Sequence, residues 1–347
     1  MDIIEAKIKK LFEENNIAGM SVAITDRDRV VKNYKFGLMD IEEPALGMAD
    51  DPLYRIASIT KVVSGLTVLR LVDGGVLELD RPVKEYLPHL TLSDKRAEAT
   101  VTLRHLLSHT AGLPKEYTPD GYRDESALET SLTEGLPTLE LSSLPGEGKF
   151  LYSNWGIRLA SLVAEKQTGK RFSELAGELI LEPLGMDKTT FDIRRAITYP
   201  LSVPHEEDEA GELHVLHYMK ENAARHAAGG LYSSPSDLCI LARFLLRGGV
   251  TDRGERIVSE ESMKEMLTPH AKHTEEGVYY GLTMFLREHN GIETNGHIGS
   301  APPYATSLWV DPVSGYGVVT LMNTYREHLR YDIPDIIFEA VRENGGL

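Results

Sequence analysis

The segment from Ser58 to Gly75, SITKVVSGLTVLRLVDGG, places apolar residues on nearly every side of a predicted helix. Two glycines, Gly74 and Gly75, form its stop signal. A helix without a polar face is not stable at a surface, because its apolar side chains would all contact water. The chain must therefore supply other elements that cover this helix on all sides.

β-rich segments lie on both sides of this helix in the sequence. GMSVAIT and RVVKNYKFG precede it, and the DRD between them predicts the turn of an antiparallel hairpin. YYGLTMFL, YATSLWV and YGVVTLMN follow near the end of the chain, and the last two are joined by the turn DPVSG. A closing helix in DIPDIIFEAVREN would cover the sheet. Strands linked by hairpins indicate an antiparallel sheet with helices packed on its faces.

Strands are scarce between these two groups, where helical or irregular segments dominate. The sequence therefore predicts an α/β (α+β) fold in which an antiparallel β-sheet is flanked by helices. We expect one lobe from residues 1–75 and 220–347, and an inserted, mainly helical lobe from residues 76–219. The acidic stretch PHEEDEAGE, residues 204–212, has no periodicity and predicts a solvated loop.

The composition argues against several classes of partner. A formal net charge of −16, without a cluster of Lys and Arg, argues against nucleic-acid binding, which requires positive charges for the phosphates. No apolar run reaches the roughly 18 residues that span a bilayer, so we expect no membrane partner. The first residues lack the apolar stretch of a secretory signal, and with Met1 as the natural start we expect a cytoplasmic protein. Nothing in the sequence indicates the oligomeric state.

Cysteine and histidine provide little support for thiol or metal chemistry. Cys239 is the single cysteine, and its apolar neighbours at helical spacing predict a position in the core. His105 and His109 are four residues apart on a predicted helix, as two zinc ligands would be, but no third ligand is near in sequence. We therefore favour structural roles for both histidines and predict neither a metal nor a cofactor.

Ser58 and Lys61 open the apolar helix and are three residues apart, close to one turn. A serine at the start of a helix is usually only a cap. It can also be a nucleophile if a base is adjacent, and a lysine desolvated by apolar side chains can be neutral enough to accept its proton. The backbone N–H of Ser58 at the helix N-terminus would then be one donor to a developing oxyanion.

Two further segments contain groups that a nucleophilic serine needs. FLYSNWG places Tyr152 and Asn154 where a helix begins; a lysine cation would lower the pKa of the tyrosine, and the asparagine amide can hold a substrate carbonyl. NGHIGSAPPYATSLWV places His297, Gly299 and Ser300 at the start of a predicted strand. Glycine lets the backbone come close to a ligand, and the N–H that follows it would be the second oxyanion donor.

The order SxxK, YxN and HxG, at these intervals, resembles the serine β-lactamase and penicillin-binding protein superfamily. The chain looks most similar to class C β-lactamases and to the related esterases and D-aminopeptidases of the CubicO group. TLRHLLSHTAGLP and GGLYSSPSDL are also typical of that group, and the likeness covers nearly the whole chain. The resemblance implies a β-lactamase/transpeptidase-like fold with its active site between the two lobes.

The resemblance also implies a role for residues of all three motifs. It makes Ser58 the nucleophile, Lys61 the activating base and Tyr152 the catalytic tyrosine. It implies substrate-binding or oxyanion roles for Asn154, His297, Gly299 and Ser300. Together these groups would transfer an acyl group from an ester or amide to Ser58 and then to water, without a metal or cofactor.

The residue at position 297 bears on the substrate. Class C β-lactamases usually carry lysine there, whereas esterases, D-aminopeptidases and some DD-peptidases of the group have histidine. An imidazole is a weaker anchor than lysine for an anionic β-lactam. We therefore favour a serine hydrolase acting on small-molecule esters, amides or short peptides with D-residues. The alternatives are a penicillin-binding DD-peptidase, a class C-type β-lactamase, and a penicillin-binding sensor that is acylated without turnover.

Overall fold

The computed structural model describes residues 3–115, 126–219 and 222–347 of the chain. Its α-helices are α1 (Ile3–Glu14), α2 (Thr60–Asp73), α3 (Val83–Tyr86), α4 (Lys95–Thr100), α5 (Leu103–Leu107), α6 (Ala127–Gly135), α7 (Asn154–Thr168), α8 (Phe172–Ala176), α9 (Glu182–Leu184), α10 (Ile193–Ala196), α11 (His226–Gly229), α12 (Pro235–Leu246), α13 (Glu260–Met266) and α14 (Leu329–Asn344). Short 3₁₀ turns occupy Pro44–Leu46, Ala57–Ile59, Leu136–Thr138 and Ala223–Arg225, and a π-helical turn occupies Gly177–Leu181.

The strands are β1 (Gly19–Thr25), β2 (Val30–Gly37), β3 (Tyr54–Arg55), β4 (His205–Glu207), β5 (Leu213–Val215), β6 (Tyr232–Ser233), β7 (Ala271–Lys272), β8 (Val278–Tyr280), β9 (Phe285–His289), β10 (Ile292–Ala301), β11 (Tyr304–Asp311) and β12 (Tyr316–Met322). Within the described residues, eight of them form one sheet in the order β2-β1-β12-β11-β10-β9-β8-β7. Each neighbouring pair is antiparallel. The predicted antiparallel sheet, with strands from both parts of the chain, is confirmed.

Helices cover both faces of this sheet because its central strands are apolar on both sides. Val318 and Met322 of β12 belong to a cluster with side chains of α1 and α14. Val319 and Leu321, which alternate with them, belong to a second cluster with α2 and α12. Since successive residues of a strand point to opposite faces, the two clusters lie on opposite sides of the sheet. Sheet and helices therefore form three layers.

The helix α2 lies deep in the second cluster. Every residue from Thr60 to Leu69 is buried, as is Leu71, and only Arg70 in that run is exposed. It contacts α7, α11 and α13 as well as the 3₁₀ turn before it. The prediction that a helix without a polar face must be covered on all sides is confirmed.

The acidic stretch 204–212 is not the loop that its composition predicted. His205–Glu207 pairs with Leu213–Val215 in a small antiparallel hairpin. Its turn is closed by the Asp208 carboxylate, which accepts hydrogen bonds from the amides of Ala210 and Glu212 at 2.8 and 2.9 Å. Most of the side chains in this hairpin are exposed, so no alternation of apolar residues marked the strands in the sequence.

The helices α3 to α10 lie in sequence between the first two strands of the large sheet and the rest of it. The predicted lobe boundary at residue 220 falls outside the described residues, and the division into two lobes stays a prediction. Within the described ranges, none of the helices combines the length and the apolar character needed to cross a membrane.

Candidate active site

Ser58 lies in the middle of the 3₁₀ turn Ala57–Ile59, directly before α2. The preceding residue, Ala57, has a φ of 50°, in the left-handed region that residues other than glycine rarely adopt. The N–H of Ile56 donates to the Leu231 carbonyl at 3.0 Å, and the Ile56 carbonyl accepts from the Thr306 hydroxyl at 2.9 Å. The N-cap position of α2 is Ile59, so Ser58 is not a helix cap.

Lys61 lies one turn into the same helix and is fully buried. Its Nζ is 3.0 Å from Ser58 Oγ and also donates to the Ala228 carbonyl at 2.6 Å. The same nitrogen is 4.9 Å from the centre of the Tyr152 ring. The Ala228 carbonyl of α11 and the Ser58 hydroxyl therefore contact the same nitrogen.

Tyr152 precedes α7 and is partly buried against the sheet. Its hydroxyl is hydrogen-bonded to the Ser58 side chain. Burial raises the pKa of Tyr152 above its ordinary value, and the bond to Ser58 and the charge of Arg330 oppose this rise only in part. The expected lowering of the Tyr152 pKa is therefore wrong, because burial disfavours the phenolate more than the Ser58 bond and the Arg330 charge favour it. The phenol stays protonated at neutral pH.

Asn154 is the first residue of α7, where the sequence predicted a helix to begin. Its side-chain Oδ1 is buried and has no hydrogen-bond partner among the described residues. Buried polar atoms are normally paired, so an unpaired amide oxygen next to Tyr152 is an acceptor still open to a donor.

His297 lies in the second half of β10, and Gly299 follows two residues later. The prediction that the third motif begins a strand is therefore wrong, because the motif lies towards the end of β10. The imidazole is fully buried. Its Nδ1 donates to the Ile298 carbonyl at 2.6 Å, and its Nε2 accepts from the Tyr280 hydroxyl at 3.1 Å. Burial, followed by the charge of Lys61, lowers the pKa of His297 to about 3. The residue is thus a neutral imidazole whose two nitrogens are both occupied.

Gly299 allows β10 to pass directly over the turn that carries Ser58. A Cβ at this position would lie 2.0 Å from Thr306 Oγ1 and 2.3 Å from the Ile56 carbonyl oxygen. Any side chain here would push the strand away from Ser58. The sequence predicted a close approach at Gly299, and the structure shows that the approaching group is the backbone before Ser58.

Arg330, in the first turn of α14, is a residue of this region that the sequence did not reveal. Its guanidinium is 1% exposed, and Nη1 donates to the Ser300 hydroxyl and, at 3.4 Å, to the Gly299 carbonyl. Nη2 donates to Glu327 at 3.0 Å. The arginine therefore braces the end of β10 beside the third motif. An arginine at the start of a helix has no sequence signature that separates this role from an ordinary surface charge.

The two histidines that had zinc-ligand spacing do not share a helix face. His105 lies within α5, where its Nδ1 accepts from the Thr102 amide at 3.3 Å and completes a capping box. His109 lies beyond the end of α5 with a φ of 59°. The prediction that both lie on one helix is wrong, because the chain turns out of the helix between them.

Side chains that could bind a metal ion also lie close together on the surface. Within the described ranges, Asp208, Glu212 and His214 are the one group that brings three potential ligand atoms within 4.8 Å of one another. All three side chains are exposed on the hairpin β4–β5, and exposed acidic groups commonly cluster without an ion. None of them belongs to the three motifs.

The chain is similar to known proteins over nearly its whole length. The family profile described as Beta-lactamase matches residues 4–341. Protein flp of Staphylococcus aureus (strain MW2) is 25% identical over 336 residues, which cover 94% of this chain and 64% of that protein. The chain thus spans slightly less than two thirds of the length of this curated relative.

Solved structures share the fold over nearly the full chain. The octameric penicillin-binding protein homologue from Pyrococcus abyssi superposes with a TM-score of 0.84 at 27% identity, over 100% of this chain and 78% of that one. D-amino acid amidase from Ochrobactrum anthropi SV3 superposes with a TM-score of 0.81 at 23% identity, over 99% of both chains. The family match supports an activity of the hydrolase type. The match from residue 4 to residue 341, together with the shared architecture, shows that the chain belongs to the beta-lactamase family and has the β-lactamase/transpeptidase-like fold.

Proposed function

We propose that the protein is a serine hydrolase that transfers the acyl group of an ester or small amide to Ser58 and then to water. The observation that carries the proposal is the set of contacts at the Ser58 hydroxyl. Lys61 Nζ lies 3.0 Å from Oγ, and the Tyr152 hydroxyl is bonded to the same side chain. A nucleophile with an adjacent base and an adjacent acid is what acyl transfer requires.

In this mechanism the amine form of Lys61 accepts the Ser58 proton while it keeps its bond to the Ala228 carbonyl. Ser58 Oγ attacks the substrate carbonyl, whose oxygen is held by the backbone N–H groups of Ser58 and Ser300. Tyr152, whose raised pKa keeps it protonated, then donates a proton to the leaving group. The Lys61 ammonium then returns a proton to Tyr152. Water gives one proton to the Lys61 amine and its hydroxide to the acyl carbon, and the acyl group leaves as the acid while Ser58 recovers its hydroxyl proton from Lys61.

The charges near the third motif favour an uncharged or weakly charged substrate. His297 is neutral and buried, so it supplies no cation for a carboxylate. Arg330 is buried and already donates to Glu327, Gly299 and Ser300. The unpaired Oδ1 of Asn154 could accept the N–H of an amide substrate. We therefore favour esters and small amides, including those of D-residues, over anionic β-lactams.

A second candidate function is a sensor that is acylated but turns over slowly. The pKa of Tyr152 is raised by burial, and a protonated phenol is a poor base for activating the water of deacylation. This observation favours slow release of the acyl group. A penicillin-binding DD-peptidase and a class C-type β-lactamase remain the further alternatives within the same fold.

The first test is Ser58→Ala, assayed with p-nitrophenyl acetate, D- and L-phenylalanine p-nitroanilides and nitrocefin. We expect loss of turnover on whichever substrate the native protein uses, with the melting temperature retained, because Ser58 is not a helix cap. Ser161→Ala is the matched control: its buried hydroxyl donates only to the Arg158 carbonyl within α7, and its removal should leave activity unchanged. Hydrolysis by Ser58→Ala at the native rate would refute Ser58 as the nucleophile.

The time course separates the two candidate functions. Intact-mass measurement should show one acyl group added to the native protein and none to Ser58→Ala. A burst of one equivalent without later turnover indicates the sensor, whereas continued product formation indicates the hydrolase.

A further inference from the structure

His109 contacts the chain on both sides of Tyr152. Its backbone carbonyl accepts the N–H of Leu151 at 2.8 Å. Its side-chain Nδ1 accepts the N–H of Ser153 at 3.2 Å. One residue therefore holds the two amides that flank the tyrosine, and its φ of 59° is the conformation in which it does so.

The ring of His109 also packs against the tyrosine itself. Its centroid lies 4.5 Å from that of Tyr152 and 4.9 Å from that of Tyr280. Tyr280 in turn donates its hydroxyl proton to His297 Nε2. The imidazole of His109 thus contacts both Tyr152 and Tyr280, and Tyr280 is the residue that orients His297.

The hydrogen bonds fix which nitrogen of His109 carries a proton. Because Nδ1 accepts an amide N–H, the neutral ring must be protonated on Nε2. That Nε2 is buried and has no hydrogen-bond partner among the described residues. Burial, then the positive charge of Lys61, keep the pKa of His109 well below its ordinary value, so Nδ1 remains an acceptor.

We propose that His109 is a positioning residue for Tyr152: it holds the backbone on both sides of the tyrosine and packs on its ring, so that the phenol stays at Ser58. The inference rests on the proposed acyl transfer and adds a residue that touches neither substrate nor Ser58. A small displacement of an acid or base can cost about a hundredfold in rate, which makes such a clamp necessary.

The test uses two variants with different chemistry at the same backbone. Glycine suits a positive φ, so His109→Gly removes the ring without straining the chain. Asparagine also tolerates this conformation, and its amide oxygen can accept the Ser153 N–H in His109→Asn. His105→Ala is the control, because His105 also pairs with a backbone amide but serves only the cap of α5.

The expected result is a loss confined to the chemical step. In His109→Gly we expect the acylation rate at saturating p-nitrophenyl ester to fall by roughly 10- to 100-fold while KM changes little. His109→Asn should recover at least half of that loss on a logarithmic scale, and added imidazole should partly rescue His109→Gly. His105→Ala should lower the melting temperature without changing the acylation rate.

Three outcomes would overturn the proposal. A folded His109→Gly that acylates at the native rate overturns it while leaving Ser58 as the nucleophile. Absence of both turnover and an acyl adduct in the native protein removes the proposed function and the positioning role together. Should both variants fail to fold, ¹⁵N spectra of the native histidines decide: a proton on Nδ1 of His109 contradicts the clamp, and a proton on Nε2 with an acceptor Nδ1 supports it.

Discussion

Gly299 is the position where one methyl group has the largest predicted effect on the site. In Gly299→Ala the new Cβ would meet Thr306 Oγ1 at 2.0 Å and the Ile56 carbonyl at 2.3 Å, and both atoms belong to packed elements. We expect a loss of about 1–3 kcal/mol in the free energy of unfolding, as for other overpacked cores. Acylation should fall as well, because β10 would move away from the turn that carries Ser58. Urea denaturation and burst kinetics measure the two effects.

A second glycine supplies the control for Gly299→Ala. Gly177 has a helical φ of −58°. A Cβ there would come no nearer than 4.0 Å to a neighbouring group, a Glu182 side-chain oxygen. Gly177→Ala should therefore leave stability unchanged or raise it by up to about 1 kcal/mol. Equal stability of Gly299→Ala and Gly177→Ala would contradict the close approach of β10 to Ile56.

Residue types alone identified the chemical groups of the site but not their protonation. Ser58, Lys61 and Tyr152 were recognised by spacing and do contact one another. The pKa of Tyr152 was predicted in the wrong direction, since it depends on burial by side chains far away in sequence. The contacts of Arg330 with β10 and of His109 with Tyr152 were missed for the same reason.

At the scale of elements, the strand β11 contacts the backbone before Ser58 through one hydroxyl. Thr306 Oγ1 donates to the Ile56 carbonyl at 2.9 Å, and both residues are fully buried. Thr306→Val keeps the shape of the side chain and leaves that carbonyl without this donor. We expect a loss of about 1–2 kcal/mol in unfolding free energy and slower acylation, because the turn at Ala57 is held less firmly.

The neighbouring strand offers a matched substitution for this bond. Thr320 of β12 is also fully buried, but its Oγ1 has no hydrogen-bond partner among the described residues. Thr320→Val therefore removes an unsatisfied hydroxyl and should be neutral or stabilising. Chemical denaturation measures the free energy of unfolding of both variants. An equal loss of this free energy in the two would show that the Thr306 hydrogen bond does not contribute to stability.

Elements with strong periodicity were predicted from the sequence, whereas their ends were not. The apolar helix and the antiparallel strands follow from residue pattern, which reflects burial. The strand β10 begins at Ile292 with the polar run IETNG, so its first half carries no apolar alternation and the third motif was placed at its start. The turn between α5 and His109 was equally invisible, because a left-handed φ at histidine has no signature.

At the scale of the whole molecule, buried neutral histidines make the fold sensitive to acid. The pKa of His297 is about 3 in the folded state, against roughly 6.5 in an unfolded chain. Between these values the unfolded state binds a proton that the folded state does not. The contribution of His297 to the free energy of unfolding is therefore complete above pH 6.5. It is lost as the pH falls towards 3, and the free energy of unfolding decreases by up to about 1.4 kcal/mol per pH unit.

The slope of stability against pH isolates this contribution. Urea denaturation of His297→Gln between pH 7 and pH 5 should show a shallower decline than the native protein, even if the variant is less stable at every pH. Because His89 is exposed, His89→Gln should retain the native slope. A native slope in His297→Gln would mean that the imidazole is protonated in the folded state at these pH values.

The pairing of β1 with β12 joins Met20 to Met322, so β1 acquires this partner only after the long stretch of chain between the two strands has been made. Until then only the edge of β1 that faces its hairpin partner β2 is paired, and the edge that faces β12 is open. The turn before Ser58 depends on β10 and β11, which also follow it by a long stretch of chain. Gly299 of β10 and Thr306 of β11 both contact Ile56. Pairings of such long sequence separation form slowly and leave unpaired edges exposed meanwhile. A ribosome-bound chain that stops short of β10 would therefore carry Ser58 and Lys61 without the strands that give them their geometry.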